Sequence, residues 1–248
     1  MMKPEMTAVG RQASLSEYEE LYRTKAAEAN VKPSEIEIAK AKLTTRTEAE
    51  LKTNLDPTVR AGETPKQAQE RVKVAQEEKI TRGRLQVFDG LGSTPPKVKI
   101  AENDQVYGDQ FNAHTIEKHG ALVEMKRSSA PAGTRTIEGR IYGDAPWGRA
   151  ENFSYKWLDD TTMNKTINEY MEKNWDAIRW DLASNRVHEG TFDAGKAIGE
   201  GFYNSGQMGT GARQAVYHKT SIARVLITLD QIEMTPIIIT AYPTGKGQ

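Results

Sequence analysis

The clearest pattern of apolar and polar positions lies between Asp160 and Ala183. Met163, Ile167, Met171, Trp175, Ile178 and Leu182 recur in steps of four or three, which puts them on one face of a helix. Asp160 or Thr161 can cap its first turn, and Ser184-Asn185 ends it. A stripe of this width predicts core packing. The carboxy-terminal pattern is of another kind. ARVLITLD (223–230) and PIIITAY (236–242) are rich in β-branched residues and joined by QIEMT, which predicts a hairpin. Strand side chains alternate, so Ile238, Thr240 and Tyr242 share one face, opposite Ile237, Ile239 and Ala241. Two residues along a strand separate the hydroxyl-bearing positions Thr240 and Tyr242 by about 7 Å.

The first hundred residues read as helices with thin apolar stripes. SLSEYEELYRTKAAEAN opens with the overlapping Ser-x-x-Glu boxes Ser14/Glu17 and Ser16/Glu19, and VKPSEIEIAKAKL repeats the device with Ser34 and Glu37. TPKQAQERVKVAQEEKI has Thr64 placed to cap and Pro65 at the first helical position. Such stripes suit a solvated linker or docking segment; a delivery module is the alternative. GLGSTPPKVKIAEND (90–104) gathers Gly, Ser and a Pro pair and marks the boundary. Residues 1–95 are thus expected to be a helical linker or delivery region, and residues 105–248 a separate α+β domain. Within the latter, FNAHTIEKHG predicts a short helix and GTRTIEGRIYG a strand-like or mixed segment. GKAIGEGFYNSGQMGTGARQ reads as a surface loop, since its glycines match neither phosphate-binding spacing.

Composition sharpens this division. Mean hydropathy is −0.67, and all four Trp fall between 147 and 180, so the core is expected in the second half. The chain has no Cys, which removes disulfides, thiolate metal sites and a Cys nucleophile. Folding without oxidation suits work in a reducing cytoplasm. No apolar run reaches the roughly 18 residues of a membrane span, and MMKPEMTAVGRQ lacks the apolar core of a secretory signal. Net charge is zero, but residues 1–100 carry +3 and residues 101–248 carry −3. That balance argues against a polyanion substrate unless a local basic cleft sits in the acidic half.

The chemistry-bearing residues are few. The four histidines are His114, His119, His188 and His218. His-Glu-x-x-His, His-x-Glu with a Cys pair and Gly-x-Ser-x-Gly are all missing, which leaves metal-free acid–base chemistry. Cleaving RNA without metal needs a base for the 2′-hydroxyl, an acid for the departing 5′-oxygen, and donors for the charge on phosphorus. Histidine suits the base because its pKa lies near neutrality. Arginine suits the phosphate because its planar fork donates two parallel hydrogen bonds.

HTIEKHG (114–120), GRIYGDAPWGRAENFSYKW with the helix after it, IGEGF (198–202) and ARVLITLD…IIITAYP (223–243) occur in an order that resembles a known family. These segments are similar to the bacterial RNase A-like toxin domains at the carboxy-terminal ends of contact-dependent inhibition proteins and other polymorphic toxins. The resemblance spans about 130 residues and leaves the first hundred uncovered. It implies a disulfide-free fold of helices preceding two antiparallel β-sheets in a V. It implies a toxin that is a metal-independent endoribonuclease, needs no cofactor, and forms a 2′,3′-cyclic phosphate on an RNA substrate such as tRNA. It further implies delivery from a producing bacterium, action in the target-cell cytoplasm and neutralisation by a cognate immunity protein.

The family's catalytic His, Thr and Tyr fall on His119, Thr240 and Tyr242. Its Arg falls on Arg140, with Arg127 and Arg135 as alternatives because the gap from His119 is long and a Ser/Ala/Pro-rich stretch (128–134) intervenes. His114 and Lys118 are assigned to substrate binding. Two other classes stay open. One is an ADP-ribosyltransferase or NAD-hydrolase toxin, which needs a catalytic Glu near a strand end, with Glu233 or Asp230 in reach. The other is a non-enzymatic binding or structural protein.

Overall fold

A computed structural model describes residues 35–43, 46–206 and 212–245. The boxes at Ser14/Glu17 and Ser16/Glu19, and Ser34 of the third box, lie outside the described residues. The chain divides into two units, Met1–Asp89 and Gly90–Gln248.

The first unit is helical where described, with α1 (Glu35–Lys42), α2 (Glu48–Asn54) and α3 (Pro65–Gly90). Helix α3 starts where its sequence signals place it. The Gln67 amide donates to the Thr64 hydroxyl at 3.3 Å, and the Thr64 amide donates back to the Gln67 side chain at 2.8 Å. The thin stripes are compensated by a charged hub. Arg71 is buried and donates to both Glu63 carboxylate oxygens and to the carbonyls of Asn54, Asp56 and Thr58, at 2.7–3.0 Å. One guanidinium therefore ties down a loop that has little apolar surface of its own.

The second unit has helices α4 (Ile100–Phe111), α5 (Thr115–His119), α6 (Ile137–Tyr142) and α7 (Asp160–Asn185). Its strands are β1 (Phe153–Trp157), β2 (Val187–Asp193), β3 (Gly199–Asn204), β4 (Ala215–Thr220), β5 (Ile222–Asp230) and β6 (Thr235–Thr244). They form two antiparallel three-stranded sheets, ordered β1-β3-β4 and β2-β5-β6. The class is thus mixed helix and antiparallel sheet, held without cysteine. Among the described residues no helix is long and apolar enough to cross a membrane.

Helix α7 matches its pattern closely. All six residues of the stripe are buried, and Arg186 closes the helix in the left-handed region (φ 64°). The cap sits one residue earlier than expected, where Asp159 accepts from the Thr162 amide at 2.6 Å. The hairpin of β5 and β6 is also as expected, with residues 231–234 as the turn.

Three local expectations change. The helix predicted over 111–120 is broken at Asn112, whose left-handed backbone (φ 57°) ends α4 before α5 begins. The segment expected to be strand-like or mixed is helix α6. Thr136 caps it by accepting from the Gly139 amide at 2.9 Å, and Gly143 (φ 76°) stops it, so end signals outweigh its β-branched content. Part of the expected glycine-rich loop is strand β3; residues 207–211 lie outside the described residues. A Cβ at Gly199 would strike the Pro243 ring on β6, and one at Gly201 would strike the Ser154 backbone. These two glycines let β3 pass close to its neighbours.

Strand β6 is the edge of its sheet, and side chains cover its open side. The Asn103 amide pairs with Ile238, accepting from its N–H at 3.0 Å and donating to its carbonyl at 2.7 Å. The Thr115 hydroxyl accepts from the Ala241 amide at 2.9 Å, and the Trp157 indole donates to the Ala241 carbonyl at 2.9 Å. The His114 amide donates to the Ile239 carbonyl at 3.0 Å. These bonds satisfy backbone groups that an edge leaves open, and they fix α4, α5 and β1 onto the strand that carries Tyr242.

Candidate active site

His119 is the last residue of α5 and only 3% exposed. Its Nδ1 lies 3.1 Å from the Tyr155 carbonyl on β1. A carbonyl only accepts, so Nδ1 carries the proton and Nε2 keeps the lone pair of the neutral ring. The ring stacks on Tyr242 of β6, with centroids 4.6 Å apart and planes 18° from parallel. Burial above all, and then the Arg140 charge, push the His119 pKa down to about 3, against a small opposing effect of the Tyr155 carbonyl. His119 is therefore neutral at pH 7, not poised near neutrality as the sequence suggested.

Arg140 projects from α6. Its guanidinium lies 4.8 Å from the Trp147 ring centroid, a cation–π arrangement. Burial holds its pKa below the ordinary value while Glu151 and Tyr242 oppose the shift, and an Arg stays charged in a protein regardless. The Glu151 amide donates to the Arg140 carbonyl at 2.9 Å, which folds the segment after α6 back beside it. Arg213 holds this segment, donating to the carbonyls of Ile141 and Glu151 and to the Asn152 side chain.

These groups meet in a cleft of about 350 Å³, lined chiefly by His119, Arg140, Glu151, Tyr155, Arg224 and Tyr242. The lining carries two guanidiniums, Arg140 and Arg224, and the Glu151 carboxylate, and Arg224 is ion-paired with Glu189 beside the cleft. Of the alternatives for the arginine, Arg135 shares the Trp147 ring with Arg140, at 5.1 Å from its centroid, and Arg127 lies over Tyr142. Arg127 is paired with Asp144 at 2.5 Å and Arg135 with Glu117 at 2.5 Å. Neither lines the cleft, whereas Arg140 does.

The other expected residues are placed less directly. Thr240 shares a face with Tyr242, since Thr240 is opposite Leu226 and Tyr242 opposite Arg224. It does not line the cleft; it is 8% exposed, and its hydroxyl has no hydrogen-bond partner among the described residues. A bulge leaves Ile239 without a partner on β5, so the alternation expected along the whole strand is interrupted just before Thr240. His114 turns its ring back to the Asn112 carbonyl at 2.6 Å, and neither it nor Lys118 lines the cleft. Glu233 sits exposed in the β5–β6 turn, away from the cleft. Among the described residues no three His, Asp or Glu side chains gather as metal ligands.

Sequence reasoning missed Glu151, Tyr155 and Arg224. Burial pushes the Tyr155 phenol up to about 12, and its carbonyl is the group that orients His119. No local pattern marks a backbone carbonyl as functional. Arg224 carried a weak signal, as a charge interrupting the apolar run of ARVLITLD directly across from Tyr242.

No family model matches the chain, and no curated protein matches it. Among solved structures the chain is similar to one described as a CdiA-CT/CdiI complex from Y. kristensenii, at 19% identity and a TM-score of 0.30, over 38% of this chain and 80% of that one.

Proposed function

We propose that the second unit is a metal-independent endoribonuclease, and that the chain is a delivered bacterial toxin acting in the target-cell cytoplasm and restrained by a cognate immunity protein. The observation that carries the enzymatic reading is one constellation. His119 has its Nδ1–H committed to Tyr155, stacks on Tyr242, and shares its cleft with Arg140. The toxin and immunity reading rests on the family resemblance of the segments that build this cleft.

The parts match the needs of transesterification. Nε2 of His119 takes the 2′-hydroxyl proton, the 2′-oxygen bonds to phosphorus, and the P–O5′ bond breaks to leave a 2′,3′-cyclic phosphate. Arg140 donates to the non-bridging oxygens as their charge grows. Tyr242 donates a proton to the departing 5′-oxygen. A base with a pKa near 3 is weak; a bound phosphate offsets the Arg140 charge and raises it in part, while burial, the larger cause, persists.

The test is incubation of the purified chain with RNA, with and without EDTA, followed by end-group analysis. Cyclic phosphate ends that persist in EDTA and vanish in His119→Ala support the reading. Loss of cleavage on chelation, or hydrolytic products without a cyclic end, sinks it. Nicotinamide release from NAD in the absence of RNA cleavage would favour the ADP-ribosyltransferase class instead.

A further inference from the structure

The reaction outlined above makes no use of Arg224. This residue stands on β5 directly opposite Tyr242 and lines the same cleft as His119 and Arg140. It belongs to the sheet β2-β5-β6, whereas Arg140 comes from α6, which packs on β1 and β3 of the other sheet. The two guanidiniums thus reach the cleft from different sheets. That separation suits two different anions better than one shared between both arginines.

Arg224 is ion-paired with Glu189 on β2, and the two side chains are 46% and 50% exposed. A pair so open to water is weak. It is a poor staple and an easily exchanged one, because a phosphate offers the same fork geometry with more charge.

We propose that Arg224 forms a second phosphate subsite, which takes the phosphodiester adjacent to the scissile one in an RNA strand and gives up Glu189 to do so. This rests on the ribonuclease reading for the identity of the strand. The cleft is then built for single-stranded substrate that presents at least two consecutive phosphates.

Two measurements test it. The first is binding of a six-nucleotide DNA strand, which has no 2′-hydroxyl to react, in a His119→Ala background across a salt series. Arg224→Gln should lower the slope of log affinity against log salt by about 0.7, the share of one single-strand phosphate contact. Arg224→Lys should restore most of that slope, and Glu189→Gln should tighten binding by freeing the guanidinium. An unchanged slope in a folded Arg224→Gln protein overturns the subsite. The second compares kcat/KM for a trinucleoside diphosphate with that for a dinucleoside monophosphate. Arg224→Gln should cut the ratio about tenfold; equal losses on both would place Arg224 at the reacting phosphate and overturn the proposal. If the wild-type protein cleaves neither substrate, the ribonuclease reading fails, and the salt series alone decides whether Arg224 holds a phosphate.

Discussion

The His119 imidazole lies flat against the Tyr242 phenol, 4.6 Å between centroids, and thereby joins a one-turn helix near residue 119 to the last strand of the chain. Each ring limits how the other can turn. The Tyr155 carbonyl removes the remaining freedom of the imidazole by holding Nδ1. The residue that the resemblance marks as the base is buried and held in one orientation.

Burial of His119 ties stability to pH. Its folded pKa, about 3, is below the ordinary 6.5, so between those values the unfolded chain binds more protons than the folded one. The stabilising contribution is fully present above pH 6.5 and is lost as pH falls through that window. Urea midpoints should drop from pH 7 to pH 4, and His119→Gln should flatten the decline. An equal slope in the variant would contradict the buried, neutral state.

The same shift predicts a split in the rate profiles. The acid limb of kcat/KM reports the free enzyme and should lie well below pH 6.5. The acid limb of kcat reports the complex, where phosphate offsets Arg140, and should lie at higher pH. Coincident limbs near pH 6.5 would show that His119 is not the base.

Thr240→Val separates structure from chemistry. The Thr240 hydroxyl is buried without a partner among the described residues, so an isosteric methyl removes a desolvated polar group. The melting temperature should hold or rise, and RNA cleavage should change little, because Thr240 does not line the cleft. A ten- to hundredfold loss in a folded variant, about 1.4–2.8 kcal/mol, would bring the Thr240 hydroxyl into the site.

The arginines should differ sharply. Arg140→Gln should lower kcat by about 10²–10³-fold, as loss of a transition-state donor does, with little change in melting temperature. Arg127→Gln and Arg135→Gln cut ion pairs with Asp144 and Glu117 outside the cleft and should change kcat less than fivefold, as expected for losing roughly 0–1 kcal/mol each. A larger effect at Arg127 or Arg135 would reassign the phosphate-binding residue.

Asn103 should matter through β6. Asn103→Ala strips the Ile238 N–H and carbonyl of their partners in a buried setting, at a cost of about 2–4 kcal/mol. The same change should lower kcat by loosening the strand that carries Tyr242. A loss under ~0.5 kcal/mol, the size of an ordinary surface change, would mean that the edge repacks without it.

Much of the fold was legible because it depends on short-range periodicity. The stripe from Met163 to Leu182 and the β-branched runs at the end appear in the structure as a helix and a hairpin. Where end signals compete with propensity the pattern misled, as at Ile137–Tyr142, which two caps turn into a helix. The bulge at Ile239 was invisible, since nothing in IIITAY marks which residue loses its partner.

By itself the sequence determined the absence of cysteine, the elements with strong periodicity, and the small set of His, Arg, Thr and Tyr residues from which a site could be drawn. Tertiary structure alone placed Arg140, rather than Arg127 or Arg135, beside His119, brought Arg224 and Glu151 to the same wall, and left Thr240 buried beside the cleft. The physical reason is range. A helix or strand is encoded by neighbours a few residues apart, whereas a cleft and the proton affinity of its histidine depend on which distant segments pack together and how much water they exclude.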